Sequence, residues 1–143
     1  MKQARQEGAG TAVRRRDAVQ DWAAAWSSHD VNALLAVFAD DCIYEDVTLG
    51  VTNRGKKELT SFAESFFSFA PDLRLEVTLS GSFGGFAACE WIFSGTQQKE
   101  FMGKPATGKR WSFRGASCFE LADGKIKRCS DYWNLASLLE QLG

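Results

Sequence analysis

Residues Arg110 to Asn134 read RWSFRGASCFELADGKIKRCSDYWN, and this stretch decides the fold class. Asp123-Gly124 is a hairpin signal, because both residues of a tight two-residue turn need positive φ. On either side of it, side-chain character alternates with a period of two. Trp111, Phe113, Gly115, Ser117, Phe119 and Leu121 fall on one face of the first arm. On the second arm Cys129, Asp131 and Trp133 share a face, while Arg128, Ser130 and Tyr132 take the other. The stretch is a β-hairpin with an aromatic face, and that face carries one acid.

Working outward, the pattern continues towards the N-terminus. Leu73 to Phe83 and Phe86 to Gln97 are two more strand-like runs joined at Gly84-Gly85, with Cys89, Trp91 and Phe93 on a common face. A loop carrying Met102, Gly103, Pro105 and Gly108 joins them to Arg110. Before Pro71 the period changes to that of a helix. Leu59, Phe62, Phe66 and Phe69 form a stripe on a helix opened by Gly55; Val19, Trp22, Ala23 and Trp26 do so on a helix over Val13 to Ser28, opposite Arg15, Asp17 and Asp21. Between these, Asp30 can cap a short helix lined by Val31, Leu34, Leu35 and Phe38 and ended by Asp40-Asp41. Cys42 to Val47 is a strand with Tyr44 and Asp46 on one face, followed by a loop through Gly50 and Asn53. Helices first and a strand meander afterwards predict an α+β domain, with helices covering one face of an antiparallel sheet.

Composition sets limits on function. The chain has 143 residues, 17 basic and 18 acidic side chains, and therefore no net field to hold a nucleic acid or an anionic membrane surface. No apolar run reaches the length of a membrane span; the longest, Val31 to Ala39 and Phe62 to Ala70, are interrupted. Residues 1–12 read as a flexible tail and 13–143 as one domain; the Arg14-Arg15-Arg16 run is followed by acids, not by the apolar core of a secretory signal. Cys42, Cys89, Cys118 and Cys129 are widely spaced in strand-like surroundings, which predicts reduced core thiols and a cytoplasmic protein. The lone histidine, His29, lies in a turn, and no cluster of metal ligands or cofactor motif is present, so neither metal nor cofactor is expected. The aromatic excess, 5 Trp and 11 Phe against 2 Tyr, is larger than a small core needs.

Several segments in this order resemble a known family. Phe38-Ala39-Asp40-Asp41-Cys42-Ile43-Tyr44-Glu45-Asp46, the loop Gly95 to Lys109, and the ending Asp123-Gly124-Lys125-Ile126 to Asp131-Tyr132-Trp133-Asn134 resemble the SnoaL-like polyketide cyclases of the nuclear-transport-factor-2-like superfamily, over roughly Val13 to Leu142. The resemblance implies a cone-shaped, curled antiparallel sheet of the cystatin-like type wrapped on three helices, an apolar pocket open at one end, and a homodimer through the outer sheet face. Asp46 matches the proton-shuttling base of ketosteroid isomerase. Tyr44 and Asp46 occupy the water-holding positions of limonene epoxide hydrolase, and Asp131 matches the general acid/base of the cyclases. The isomerase's oxyanion tyrosine falls on Trp22, its protonated aspartate and the cyclase histidine fall near Ser117, and the hydrolase's arginine-aspartate pair has no counterpart around Glu90 to Ile92.

Both acids lie on aromatic-rich faces, where lost hydration should raise their pKa values. The candidate catalytic residues are Asp131, Asp46 and Tyr44, with Trp22, Trp26, Phe62, Phe66, Trp91, Phe113, Ser117, Cys129 and Trp133 expected around the substrate. The competing structural reading makes Asp46 and Asp131 exposed caps, or ion-pair partners of Arg54, Arg110 or Arg114. Cys129 lacks a histidine to act as its base, so it is a poor nucleophile. Three functions stay open: acid/base chemistry (aldol-type cyclisation or isomerisation, or addition or loss of water) on an apolar cyclic or polyketide-type molecule; binding of a hydrophobic small molecule without catalysis; and recruitment of a protein partner through the sheet.

Overall fold

Asp17 caps the first helix: its carboxylate accepts the backbone N–H of Gln20 at 2.7 Å in the computed structural model, which describes residues 17–143. The tail expected over 1–12 and the start of the predicted helix at 13–16 lie outside the described residues. Helix α1 (Ala18–Ser28) buries Val19, Trp22, Ala23, Ala25 and Trp26 and ends at His29, which takes a left-handed conformation with φ 61°. That histidine is exposed, as expected for a turn, but its Nε2 lies 2.7 Å from the Leu73 carbonyl and ties the turn to the sheet.

Asp30 caps α2 (Val31–Ala36) through the N–H groups of Asn32 and Ala33. This helix is shorter than the sequence suggests. Strand β1 spans Phe38–Asp46, so Phe38 and the Asp40-Asp41 pair belong to the strand, not to the helix end. Phe38 points into the core at 1% exposure; an apolar residue at the junction satisfies the helical stripe and the strand alternation equally, and tertiary pairing decides. The Gly50 to Asn53 region, expected as a loop, forms strand β2 (Val51–Arg54), folded back antiparallel on β1 with Tyr44 opposite Asn53.

Gly55, at φ 79°, lets the chain turn directly from β2 into α3 (Gly55–Phe69), which closes before Pro71. Strands β3 (Arg74–Phe83), β4 (Phe86–Thr96), β5 (Arg110–Ala122) and β6 (Lys125–Trp133) follow, close to the predicted runs, and α4 (Leu135–Leu142) ends the chain. Both hairpin turns sit where their glycines predict, with positive φ at Gly84, Asp123 and Gly124.

The six strands form one curled sheet in the order β2-β1-β6-β5-β4-β3. It is antiparallel except between β1 and β6, one strand in from the β2 edge, which run parallel. Register shifts at Val77/Leu79 in β3 and Glu120/Leu121 in β5 bend the strands, as bulges do. Helix α1 packs on β3 and α3 on β1, closing the concave face, while α4 packs beside β5. There Gln141 bonds both the N–H and the C=O of Ser112 with its side-chain amide, so it finishes the β5 edge as a strand would. Three cysteines are buried free thiols, but Cys118 faces outward and is exposed, against the expectation that all four are core residues. No described helix is long and apolar enough to cross a membrane.

Candidate active site

The parallel pairing of β1 with β6 builds the site. Its register sets Tyr44 beside Cys129 and Asp46 beside Asp131, and the next strand, β5, sets Ser117 on the other side of Asp131. Because inward positions pair with inward positions, alternation on each strand alone brings these side chains to one face. Asp46 is 2% exposed and Asp131 8%. Of the three predicted alternative partners, Arg110 pairs with Asp72 and Arg114 with Glu90, both outside the cavity, and among the described residues Arg54 makes no ion pair or hydrogen bond with either acid.

Asp131 is held by three donors. Its Oδ2 accepts from the Tyr44 hydroxyl at 2.7 Å; its Oδ1 accepts from the Ser117 hydroxyl at 2.5 Å and from the Cys129 thiol at 3.4 Å. A carboxylate offers about four acceptor positions, two on each oxygen. Both positions on Oδ1 are used, and among the described residues one on Oδ2 is open. Burial is the largest influence on this carboxyl and pushes its pKa up to about 7; the Ser117 and Tyr44 hydrogen bonds pull against it, and the neighbouring Asp46 charge adds to the rise.

Asp46 is set differently. It accepts the Leu49 N–H at 2.9 Å, and the Trp133 indole N–H reaches both of its oxygens at 3.1 Å. Burial raises its pKa, while the Leu49 and Trp133 donors oppose the rise. Tyr44 and Cys129 are pushed well above their ordinary values, first by burial and then by the Asp131 charge, so neither is an anion at neutral pH. The upward shifts expected for both acids are therefore present, with a specific proton donor or N–H set against each.

These groups open on a cavity of about 380 Å³ including its mouth, of which only about 30 Å³ admits the centres of water-sized molecules. One water needs roughly 10–15 Å³ by that measure, so there is room for about two. Tyr44, Asp46 and Asp131 line it with Trp22, Trp26, Phe62, Phe66, Trp91, Phe113 and Trp133. Ser117 and Cys129, expected on the wall, stand behind Asp131 and reach the cavity only through it. Leu75 and Phe93 also line it, though neither was among the residues expected around the substrate. Phe93 falls on the inward set with Trp91, and Leu75 could have been found from the alternation of the β3 run. Trp133, expected as wall alone, is also a hydrogen-bond donor to an acid.

The rings interlock edge to face, Trp26 with Phe62, Phe66 and Phe93, while Phe113 stacks on Trp133 at 4.7 Å. The indole N–H of Trp26 is buried without a hydrogen-bond partner among the described residues, while that of Trp22 is directed at the Tyr44 hydroxyl. An unpaired buried donor costs about 1–3 kcal/mol, so the Trp26 N–H in the cavity wall calls for an acceptor. Among the described residues no group of three His, Cys, Asp or Glu side chains is arranged to hold a metal ion.

Comparison with known proteins sets this geometry in context. The model of the family described as SnoaL-like polyketide cyclase matches residues 16–142. A hypothetical protein with a ketosteroid isomerase-like fold from Catenulispora acidiphila, solved with trimethylamine, superposes with TM-score 0.77 at 25% identity, over 88% of this chain and 92% of its own. A provisionally assigned polyketide cyclase from Pseudomonas putida gives TM-score 0.77 at 26% identity, over 90% and 100%. AclR from Streptomyces galilaeus, provisionally described as a hydroxylase, gives 0.76 at 25%, over 88% and 78%. No curated protein sequence matches the chain significantly.

Proposed function

The chain belongs to the SnoaL-like polyketide cyclase family, and from that premise we propose that it is a cofactor-independent enzyme that moves a proton at a carbon next to a carbonyl of an apolar, cyclic or polyketide-type molecule. One observation carries the reading: a buried carboxyl, Asp131, titrates at about 7 on an aromatic wall and keeps one acceptor position open on Oδ2. An acid/base group works best with its pKa near the working pH.

In the first step Asp131 Oδ2 takes the α-proton. The C–H electron pair becomes the C=C of an enolate and the carbonyl oxygen takes the negative charge. Tyr44 shares Oδ2 and is the nearest hydroxyl; as Asp131 becomes protonated, the carboxyl can donate to Tyr44, whose own proton turns towards the substrate oxygen. The unpaired Trp26 N–H favours a ligand that brings an acceptor oxygen, which selects a carbonyl compound over a pure hydrocarbon. In a cyclisation the enolate carbon attacks a second carbonyl of the same molecule, forming the C–C bond, and the resulting alkoxide recovers the proton from Asp131. In an isomerisation the proton returns to a different carbon.

The test is solvent exchange. Incubating a panel of apolar ketones with the enzyme in heavy water should place deuterium at the α-carbon, and Asp131→Asn should abolish it while ligand binding persists. Wild-type protein that exchanges no member of the panel overturns the reading. The rival reading, a binding protein without turnover, is favoured by the lack of a histidine or arginine among the described residues of the cavity wall; a ligand retained in native mass spectrometry and released unchanged would support it. Hydration or dehydration in the same pocket would show as product gaining or losing one water. We further take the chain to be a cytoplasmic homodimer joined through the outer sheet face; light scattering that gives a monomer at micromolar concentration removes the dimer.

A further inference from the structure

The geometry points to Trp91, seated on Gly115, as a positioning residue that acts through Ser117 to keep Asp131 Oδ1 occupied and leave the open position of Oδ2, beside the Tyr44 bond, to the reacting proton. The inference rests on the reading of Asp131 as the acid/base group.

The Trp91 indole N–H donates to Ser117 Oγ at 2.8 Å, and Ser117 Oγ donates to Asp131 Oδ1 at 2.5 Å. An indole N–H can only donate, and a hydroxyl has a single proton. With Trp91 taking an acceptor position on Ser117, the serine proton is directed to the carboxylate. All three groups are buried, with Trp91 at 4% exposure and Ser117 at 0%, so water does not compete for either bond. The contrast among the indoles is informative: Trp26 and Trp111 leave their N–H unpaired among the described residues, whereas Trp91 is committed to the side chain that holds the acid.

Gly115 makes this pose possible. It lies directly across the β4–β5 ladder from Trp91, and a Cβ there would come within 2.3 Å of Trp91 Cη2 and 2.6 Å of Cζ2. The ring therefore lies over the glycine backbone, and no larger residue can take that place without lifting the ring and drawing its N–H off Ser117. Two residues further along β5, Ser117 faces Cys89 on one side and Asp131 on the other. The relay thus runs across three neighbouring strands by register alone. Other ionisable groups around the carboxyl are Tyr44 and Asp46 from β1, Cys129 on its own strand and Cys89 from β4.

The test follows Asp131 directly, by NMR of ¹³C-labelled aspartate carboxyls and ¹⁵N-labelled indoles between pH 4 and 9. In the wild type the Trp91 indole proton should shift with the same midpoint as the Asp131 carboxyl, and Ser117→Ala should uncouple the two. Losing the donor destabilises the charged carboxylate, so Ser117→Ala should raise the Asp131 midpoint by about one pH unit, and Trp91→Phe by about half as much. In the Ser117→Ala background Trp91→Phe should add nothing. A Trp91→Phe shift that is absent, or that is as large without Ser117, overturns the relay. If Trp91→Phe fails to fold, the wild-type and Ser117→Ala indole shifts decide. If Asp131 has no midpoint in this range, the acid/base reading fails and the relay with it. A normal midpoint indifferent to Trp91 removes the relay alone.

Discussion

Asp131 has consequences for stability that do not depend on any substrate. Its pKa rises from 3.8 to about 7 on folding. The folded state therefore holds this proton more tightly than the unfolded chain does, and the stabilisation is complete below about pH 4, fades as pH rises, and is gone above about 7. The shift corresponds to at most roughly 4 kcal/mol across that window. Urea denaturation at pH 5 and pH 8 should show wild type losing stability relative to Asp131→Asn over this interval, and the variant should be the more stable at pH 8; equal profiles would contradict the burial argument. A second check concerns thiols. Cys42, Cys89 and Cys129 are buried, with Cys89 pushed up to about 12 mainly by burial, while Cys118 is exposed. An aromatic disulfide reagent should titrate one thiol in the native protein and none in Cys118→Ser. At this scale the sequence was informative about Tyr44, Asp46 and Asp131, because alternation alone gives their face. It could not show that Ser117 and Cys129 stand behind an acid, or that Trp133 donates to one, because those facts depend on cross-strand register. Parity tells which side a residue faces but not what lies opposite it.

Elements were legible to the degree that one period ruled each of them. The stripe of α3 and the hairpins at Gly84-Gly85 and Asp123-Gly124 lie where the pattern places them. The error came between Val37 and Cys42, where Phe38 fits either period and β6 decides by pairing with β1. With only six residues, α2 depends heavily on its cap, since the Asp30 carboxylate takes two of its free N–H groups. Asp30→Ala should cost about 1 kcal/mol, read as a lower denaturation midpoint with unchanged cooperativity. Gly95 plays a different part: a Cβ there would meet Ala70 Cβ at 2.8 Å and Trp111 Cζ2 at 3.0 Å. Gly95→Ala should therefore push the end of α3 off β4 at a cost of about 1–3 kcal/mol, while Gly81→Ala, in open space, should be nearly neutral. Similar losses in both would show that space is not the cause.

On the scale of the whole molecule, the cavity is nearly filled by its own rings. A drug-sized ligand needs about 300 Å³ or more, far beyond the two-water space left free, so side chains must move to admit one. Phe62, Phe66 and Trp133 are the half-buried rings in the wall; Trp133 is held by its bond to Asp46 and its stack on Phe113, so the two phenylalanines carried by α3 are the ones able to yield. Phe66→Ala should let a small aromatic probe such as indole bind faster and tighter, seen in stopped-flow fluorescence; an unchanged association rate would mean that access lies elsewhere. The aromatic excess visible in composition thus has two roles, as core and as a yielding wall. The parallel pairing of β1 with β6 also bears on the order in which the protein folds. Tyr44 and Asp131 are 87 positions apart along the chain, so their hydrogen bond belongs to the slow, long-range class of contacts. A nascent polypeptide that has left the ribosome only as far as β5 lacks the strand that joins β1 to β5, so the two parts of its sheet cannot yet meet, and Asp131 and Trp133 are not yet present to face Tyr44 and Asp46.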